Sequence, residues 1–176
     1  MPRSAARSIL ETVGILIGAI LVAWFLQAYL VKPFQIPTES MEKTIDPGDR
    51  ILVNRLAYRF GEIQRGDVIV FKSPQDPDTD FVKRVIALAG DTIEVRRGQV
   101  ILNGVPQVED YINPDAPDFS SFPATEIPPG NVFVMGDNRA NSQDARFWSP
   151  PWLSVDSVLG KAFFTYWPPS RLGRLN

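Results

Sequence analysis

The 176-residue chain has a formal net charge of −2 and contains neither cysteine nor histidine. Without cysteine it cannot form disulfides, zinc–thiolate sites or thiol nucleophiles, and without histidine it lacks the commonest general base and transition-metal ligand. The balanced charge gives no indication of nucleic-acid binding. Any catalysis must therefore use hydroxyls, lysines, carboxylates or backbone groups, and we expect no metal and no cofactor.

The first predicted element is a membrane-spanning helix over residues 12–31. This stretch, TVGILIGAILVAWFLQAYLV, carries no charge and spans roughly 30 Å as a helix, the thickness of a bilayer core. Arg3 and Arg7 precede it, so the positive-inside rule places residues 1–11 in the cytoplasm and residues 32–176 outside it. Aromatic residues gather towards its outer end, as at a membrane interface: Trp24, Phe25, Tyr29 and Phe34.

Two other interpretations of this segment are a cleaved signal peptide and a buried core helix. The apolar run is longer than the roughly 7–15 residues of a signal peptide, and no clean A-x-A cleavage site closes it. A fully buried helix of this length does not suit so small a domain. We therefore predict an uncleaved single-pass anchor, in an export membrane or an internal one.

Residues 32–176 predict a mainly β domain. Short apolar runs rich in β-branched residues alternate with Gly, Pro and Asp, which favours strands. The predicted strands are Arg50–Leu56, Asp67–Lys72, Phe81–Leu88, Thr92–Arg96, Val100–Leu102, Asn131–Met135 and Val158–Tyr166. Arg97-Gly98 and Asn103-Gly104 predict successive hairpin turns, and the proline-rich stretch 109–130 predicts a loop or small flap. The expected fold is an antiparallel β-barrel or sandwich.

A candidate nucleophile, Ser40, lies in the turn-rich stretch QIPTESMEKT (35–44) that follows the anchor. With histidine absent, a serine nucleophile needs a lysine or an N-terminal amine as its base, and the N-terminus is assigned to the cytoplasm. Among the lysines, Lys83 in FVKRVIALA differs, because strand alternation places it on an apolar face. Desolvation there would lower the pKa of its amine, as a base near neutral pH requires.

Taken singly, these residues also have ordinary explanations. Lys83 could lie at the edge of the sheet with its ammonium extended to water, and Ser40 could be an ordinary loop residue. In GDNRANSQDAR (136–146), Asp144 and Arg146 could form an exposed ion pair, which contributes little to stability. Periodicity alone leaves these alternatives open.

In their order along the chain, the segments resemble bacterial type I signal peptidases, the membrane-anchored Ser–Lys endopeptidases. The resemblance covers nearly the whole chain. It comprises the anchor followed by IPTESMEKTIDPGDRILVNR (36–55), GDVIVF (66–71), KRVIALAGD (83–91) and GDNRANSQDAR (136–146). Each motif alone is weak, but four in this order, in a chain without histidine, are highly specific.

The resemblance implies that Ser40 is the nucleophile and Lys83 the general base. It also implies that Ser142 hydrogen-bonds and orients the lysine, and that the backbone N–H of Ser40 and the hydroxyl of Thr38 form the oxyanion hole. Residues that brace the site would be Asp144, Arg146 and Arg84. Narrow apolar substrate pockets would be lined by Phe34, Ile36, Ile45, Val70 and Val82.

The implied substrates are exported preproteins with small residues, typically alanine, at positions −1 and −3 from the cut, bound in extended form. The other implied partner is the lipid bilayer, and the protein is expected to be a monomer. The sequence departs from the family pattern at Lys43-Thr44, where proline-threonine is usual, and at Ala145, where serine is common. Two alternatives to this function are a self-cleaving repressor-type Ser–Lys protease and a non-enzymatic anchored β domain that binds extended peptides.

Overall fold

The structure is a computed structural model that describes residues 2–29 and 31–175, with side-chain surroundings for 7–24 and 31–175. The side chains of Arg3, Phe25 and Tyr29, to which topology and interface roles were assigned, lie outside the described residues. Helix α1 spans Pro2–Tyr29. Its segment Arg7–Trp24 has a mean hydropathy of 1.7 and is not buried against the rest of the chain. By length and composition this helix is able to cross a membrane.

The predicted end of the helical span at residue 31 is wrong, because Val31 is the first residue of strand β1. The rest of the chain is built from short strands and turns. After β1 (Val31–Gln35) come β2 (Arg50–Asn54), the short helix α2 (Ala57–Phe60), β3 (Val68–Lys72), β4 (Asp80–Ala87), β5 (Thr92–Arg96), β6 (Gln99–Leu102), β7 (Val105–Pro106), β8 (Phe122–Glu126), β9 (Asn131–Met135), β10 (Leu153–Ser154), β11 (Val158–Trp167) and β12 (Gly173–Arg174). Single 3₁₀ turns cover Arg139–Asn141, Ala145–Phe147, Val155–Ser157 and Pro169–Arg171.

These strands form two antiparallel sheets, which confirms the prediction of a mainly β, antiparallel domain. The larger sheet has the order β1-β2-β11-β3-β4-β9-β10, with β12 paired to β11. The smaller has the order β7-β6-β5-β8. The two predicted hairpin turns are also confirmed, since Arg97, Gly98, Asn103 and Gly104 all have positive φ, as type I′ turns require.

Five strands were not predicted: β1, β7, β8, β10 and β12. Strand β8 lies inside the stretch 109–130 that was interpreted as a loop or flap, so that interpretation is wrong for Phe122–Glu126. β7, β10 and β12 are only two residues long, and β1 contains a proline and pairs on one side only. Such edge strands are specified by their partners, and they lack the apolar periodicity on which the prediction depended.

Strand β3 separates two hydrophobic clusters, because its side chains alternate between the faces of the sheet. Val68 and Val70 belong to a cluster beneath the connection from β1 to β2, together with Met41. Ile69 and Phe71 belong to the main core between the two sheets. Strand β3 is therefore buried on both faces, and it pairs along its length with β4. This pairing fixes the position of Lys83, which lies in β4.

Candidate active site

Ser40 is presented by a compact turn in the connection between β1 and β2. Backbone hydrogen bonds from Ile36 N–H to Asp49 O (2.9 Å) and from Ile45 N–H to Met41 O (2.8 Å) close this turn. Met41 and Ile45, which follow the serine, are 1% and 0% exposed because they pack into the smaller hydrophobic cluster. The serine is therefore attached to a loop that is anchored in the core.

Lys83 reaches this serine from the middle of β4. Its Nζ donates to Ser40 Oγ at 2.6 Å and to Val82 O at 3.1 Å. The lysine is 4% exposed, so the alternative with its ammonium extended to water is wrong. Burial lowers the pKa of Lys83 to about 8, although the nearby charges of Asp144 and Asp137 act to raise it. The amine is thus able to accept a proton near neutral pH.

The hydroxyl of Thr38 also lies close to the serine hydroxyl. Thr38 Oγ1 is 3.4 Å from Ser40 Oγ, and both residues line a cleft of about 310 Å³. Of the predicted pocket residues, Ile36 and Val82 line this cleft. The other three lie in or against the hydrophobic cluster beneath it: Phe34, Ile45 and Val70.

Ser142 is close to the serine turn but does not bond to the lysine. The resemblance implied a hydrogen bond from Ser142 to Lys83, whereas Ser142 Oγ is buried without a hydrogen-bond partner among the described residues. The two hydrogen bonds of the Lys83 amine go to other groups. A Cβ at Gly136 would lie 2.3 Å from both Ser142 Oγ and the Ser40 carbonyl oxygen. Glycine at 136 is therefore needed for the two serine-bearing loops to approach one another.

An arginine–carboxylate pair connects β4 to the loop that follows β9. Arg84 Nε and Nη2 donate to the two carboxylate oxygens of Asp137 at 2.9 and 2.7 Å, and both side chains are buried. Thr44, from the serine turn, donates its hydroxyl to the same carboxylate at 2.5 Å. Asp137 therefore connects the strand of Lys83 to the turn of Ser40.

A second pair braces the loop that carries Ser142. Asp144 accepts two side-chain hydrogen bonds from Arg146, at 2.8 and 2.9 Å, and one from the backbone N–H of Gly136 at 3.1 Å. Both charged side chains are buried, so the interpretation of this pair as exposed and of little effect is wrong. Among the residues that the structure describes, no group of three or more acidic side chains is arranged to hold a metal ion.

A third pair was not anticipated from the sequence. Arg139 donates to both carboxylate oxygens of Glu109, at 2.9 and 2.6 Å, and the two side chains are almost fully buried. Lys43, three residues after Ser40, is exposed, and its amine donates to two backbone carbonyls. Glu109 is one of several carboxylates in a proline-rich stretch, where no sequence pattern marks a distant partner.

The chain is similar to known proteins over most of its length. A family model described as signal peptidase, peptidase S26, matches residues 9–167. A probable signal peptidase I-1 from Synechocystis sp. is 40% identical over 172 residues, 94% of this chain and 86% of the relative. Signal peptidase I of Leptolyngbya laminosa is 35% identical over 173 residues, 94% of this chain and 82% of the relative. A solved signal peptidase I from Enterococcus faecalis V583 is 33% identical, over 57% of this chain and 96% of that chain, with a TM-score of 0.48.

The family match and the relatives show that this protein is a peptidase, and thus a hydrolase. More particularly, the chain belongs to the signal peptidase family, peptidase S26.

Proposed function

We propose that this chain is a membrane-anchored serine endopeptidase that removes N-terminal signal peptides from exported preproteins, with Ser40 as nucleophile and Lys83 as general base. The observation that carries the proposal is the 2.6 Å contact between Lys83 Nζ and Ser40 Oγ, in a chain without histidine. The lowered pKa of Lys83 supports it, because a lysine with an ordinary pKa would remain protonated near neutral pH.

In the acylation step, neutral Lys83 accepts the hydroxyl proton of Ser40 as Ser40 Oγ attacks the carbonyl carbon of the scissile bond. The carbonyl oxygen becomes an oxyanion, which the backbone N–H of Ser40 and the hydroxyl of Thr38 would stabilise. The Thr38 hydroxyl is 3.4 Å from Ser40 Oγ. In the tetrahedral intermediate the oxyanion is bonded to the same carbon as Ser40 Oγ, so the Thr38 hydroxyl would be within reach of the oxyanion. Lys83 then returns the proton to the leaving amine, and the C–N bond breaks.

Deacylation uses the same groups in the reverse direction. Lys83, neutral again, removes a proton from a water molecule that attacks the acyl-Ser40 ester, and Ser40 leaves with the proton that Lys83 returns. Ser142 would orient the lysine after a rotation about its Cα–Cβ bond. Its Oγ is buried beside the serine turn with no hydrogen-bond partner among the described residues, so such a rotation would break no bond there.

Substrate selection would follow from the cleft beside Ser40. The cleft is small, about 310 Å³, and Ile36 and Val82 on its walls would leave room only for small side chains at positions −1 and −3. An extended substrate would lie along the segment before Ser40 and along the first residues of β4, Asp80–Lys83, which pair with β3 but precede the pairing with β9. Phe34, Ile45 and Val70 would support these walls from the cluster beneath.

The anchor would keep this cleft near the bilayer from which a signal peptide emerges. We propose that residues 12–29 cross the membrane, that residues 1–11 are cytoplasmic, and that residues 32–176 form a monomeric catalytic domain on the other side. Helix α1 supports this with an apolar surface exposed along its length and an arginine at its start.

The test is cleavage of a preprotein with alanine at −1 and −3 by the purified full chain in detergent micelles. Ser40→Ala and Lys83→Met should each abolish cleavage while the far-ultraviolet circular dichroism is unchanged. Ser170→Ala, at an exposed serine in the last 3₁₀ turn, is the matched control and should cleave normally. Cleavage by Ser40→Ala at the wild-type rate would refute the proposal. Capture of the preprotein without turnover by the wild type would instead support a peptide-binding module.

A further inference from the structure

Lys43, three residues after Ser40, has an unusual backbone conformation. Its φ is +83°, in the region that residues with a Cβ rarely adopt. The conformation is held on both sides of the residue, by hydrogen bonds from Glu42 N–H to Glu39 O (2.9 Å) and from Thr44 N–H to Met41 O (3.1 Å). A non-glycine residue that maintains this conformation near a functional group indicates a local requirement for its side chain.

The side chain of Lys43 ends on a distant segment of the chain. Its Nζ donates to the backbone carbonyls of Asp110 at 2.8 Å and Ile112 at 3.0 Å. This segment lies between β7 and β8, outside any strand, so these carbonyls have no partner in a sheet ladder. The lysine therefore acts as a clamp between the serine turn and residues 110–112.

The clamped segment connects back to the serine through backbone hydrogen bonds. Asn113 N–H donates to Asp137 O at 3.1 Å, and the next residue, Asn138, donates its N–H to the carbonyl oxygen of Ser40 at 3.1 Å. Lys43 thus closes a ring of hydrogen bonds that begins and ends in the serine turn. The carbonyl of Ser40 is one of the groups in this ring.

Two further contacts stabilise the ring. Glu42 accepts a hydrogen bond from the side-chain amide of Asn138 at 3.0 Å, and that amide group belongs to the same loop as Ser142. Glu109, next to the clamped segment, forms the buried pair with Arg139. Residues 109–113 are therefore held both by the serine turn and by the Ser142 loop, and they connect the two.

We propose that Lys43 is a positioning residue for peptide-bond cleavage, whose ammonium fixes the Ser40 turn through residues 110–112. The inference rests on the proposed function, since it assigns a role in that reaction. Lys43 touches neither the cleft nor Lys83, so it acts on the position of Ser40 rather than on substrate binding. Its side chain is exposed and belongs to no hydrophobic cluster, so it contributes little to the core.

Three variants of Lys43 distinguish the effect of its amine from the effect of its backbone conformation. Lys43→Met keeps the unbranched side chain, one atom shorter, and removes both hydrogen bonds of the amine. Lys43→Gly removes the side chain and suits a φ of +83°. Lys43→Arg keeps a cationic donor. All three are compared with wild type and Ser40→Ala, as full chains in detergent micelles on one A-x-A substrate, by kcat, KM and Tm.

We expect Lys43→Met and Lys43→Gly to lower kcat about tenfold with KM changed less than about twofold, because a small misplacement of a reacting group slows chemistry more than binding. Lys43→Gly should keep or raise the Tm, and Lys43→Arg should recover most of the kcat. Hydrogen exchange should become faster in residues 109–113 of the Met and Gly variants.

Three different results would contradict the role of Lys43 or the function on which it rests. Full kcat in Lys43→Met, or in Lys43→Gly alone, would overturn the inference, since the amine would then not position the serine. A loss of kcat that accompanies an equal loss of folded protein in all three variants would overturn it as well. If Ser40→Ala cleaves as fast as wild type, the proposed function fails and the inference falls with it.

Discussion

Replacing Lys83 by methionine should stabilise the folded protein at neutral pH, by an amount that decreases in alkaline solution. Lys83 is buried, and burial lowers the pKa of its amine from 10.5 to about 8. Between these two values the unfolded chain binds this proton and the folded protein does not, so the wild-type free energy of unfolding rises with pH. At about 1.4 kcal/mol per pH unit, the wild type should gain roughly 3 kcal/mol relative to Lys83→Met between pH 8 and pH 10.5.

The measurement is urea unfolding of both proteins in detergent micelles, followed by tryptophan fluorescence from about pH 7 to about pH 10.5. Taking the difference between the proteins removes the contribution of other titrating groups, and the lost hydrogen bond to Ser40 adds an offset that does not vary with pH over this range. Lys32→Met, at an exposed lysine of β1, is the control and should show no such trend. A stability difference for Lys83→Met that stays constant over the whole range would refute the argument that burial depresses the pKa of Lys83.

Three further predictions concern the groups around Ser40 and Lys83. Thr38→Val should lower kcat by about 10²–10³ because it removes one of the two proposed oxyanion donors, and Thr38→Ser should retain activity; steady-state kinetics with the two variants side by side decide this. Gly136→Ala should reduce cleavage strongly, because the added methyl would lie 2.3 Å from the Ser40 carbonyl oxygen; a variant with wild-type kcat and Tm would contradict it. Arg84→Met should destabilise the protein by about 3–5 kcal/mol, because it leaves the carboxylate of Asp137 buried without its cation. Urea unfolding measures that loss, and a change below about 1 kcal/mol would show that Thr44 alone satisfies the carboxylate.

The local features of this domain were predictable because short patterns encode them. Strands β3 and β4 were found from runs of β-branched residues, and the hairpin turns from Arg97-Gly98 and Asn103-Gly104, where the backbone needs positive φ. Edge strands such as β8 were missed, because their pairing partners determine them more than their own composition. The predicted ends of elements also differ from the observed ones by one or a few residues. At Val31, for example, the apolar composition continues although the helix has ended.

The charged residues around the site show the limit of sequence reasoning most clearly. Asp144 and Arg146 are two positions apart, yet only the packed loops show that both are buried and hydrogen-bonded. Glu109 and Arg139 pair across about thirty residues, and neither lies in a periodic segment. Whether a charge is solvated or buried depends on the chain segments that cover it, and those segments are distant in sequence.

By itself, the sequence determined the kind of chemistry that is available to this protein. The absence of histidine and cysteine restricts the available groups to hydroxyls, lysines, carboxylates and backbone. Strand alternation places Lys83 on an apolar face, where a lysine base for Ser40 would be expected. Only the tertiary structure decided that Lys83 Nζ lies 2.6 Å from Ser40 Oγ, and that Lys43 ties the serine turn to residues 110–112. The physical reason is that alternation and turn chemistry are local properties of the backbone. The approach of two groups 43 residues apart requires instead that β3, β4 and the serine turn pack into shared hydrophobic clusters.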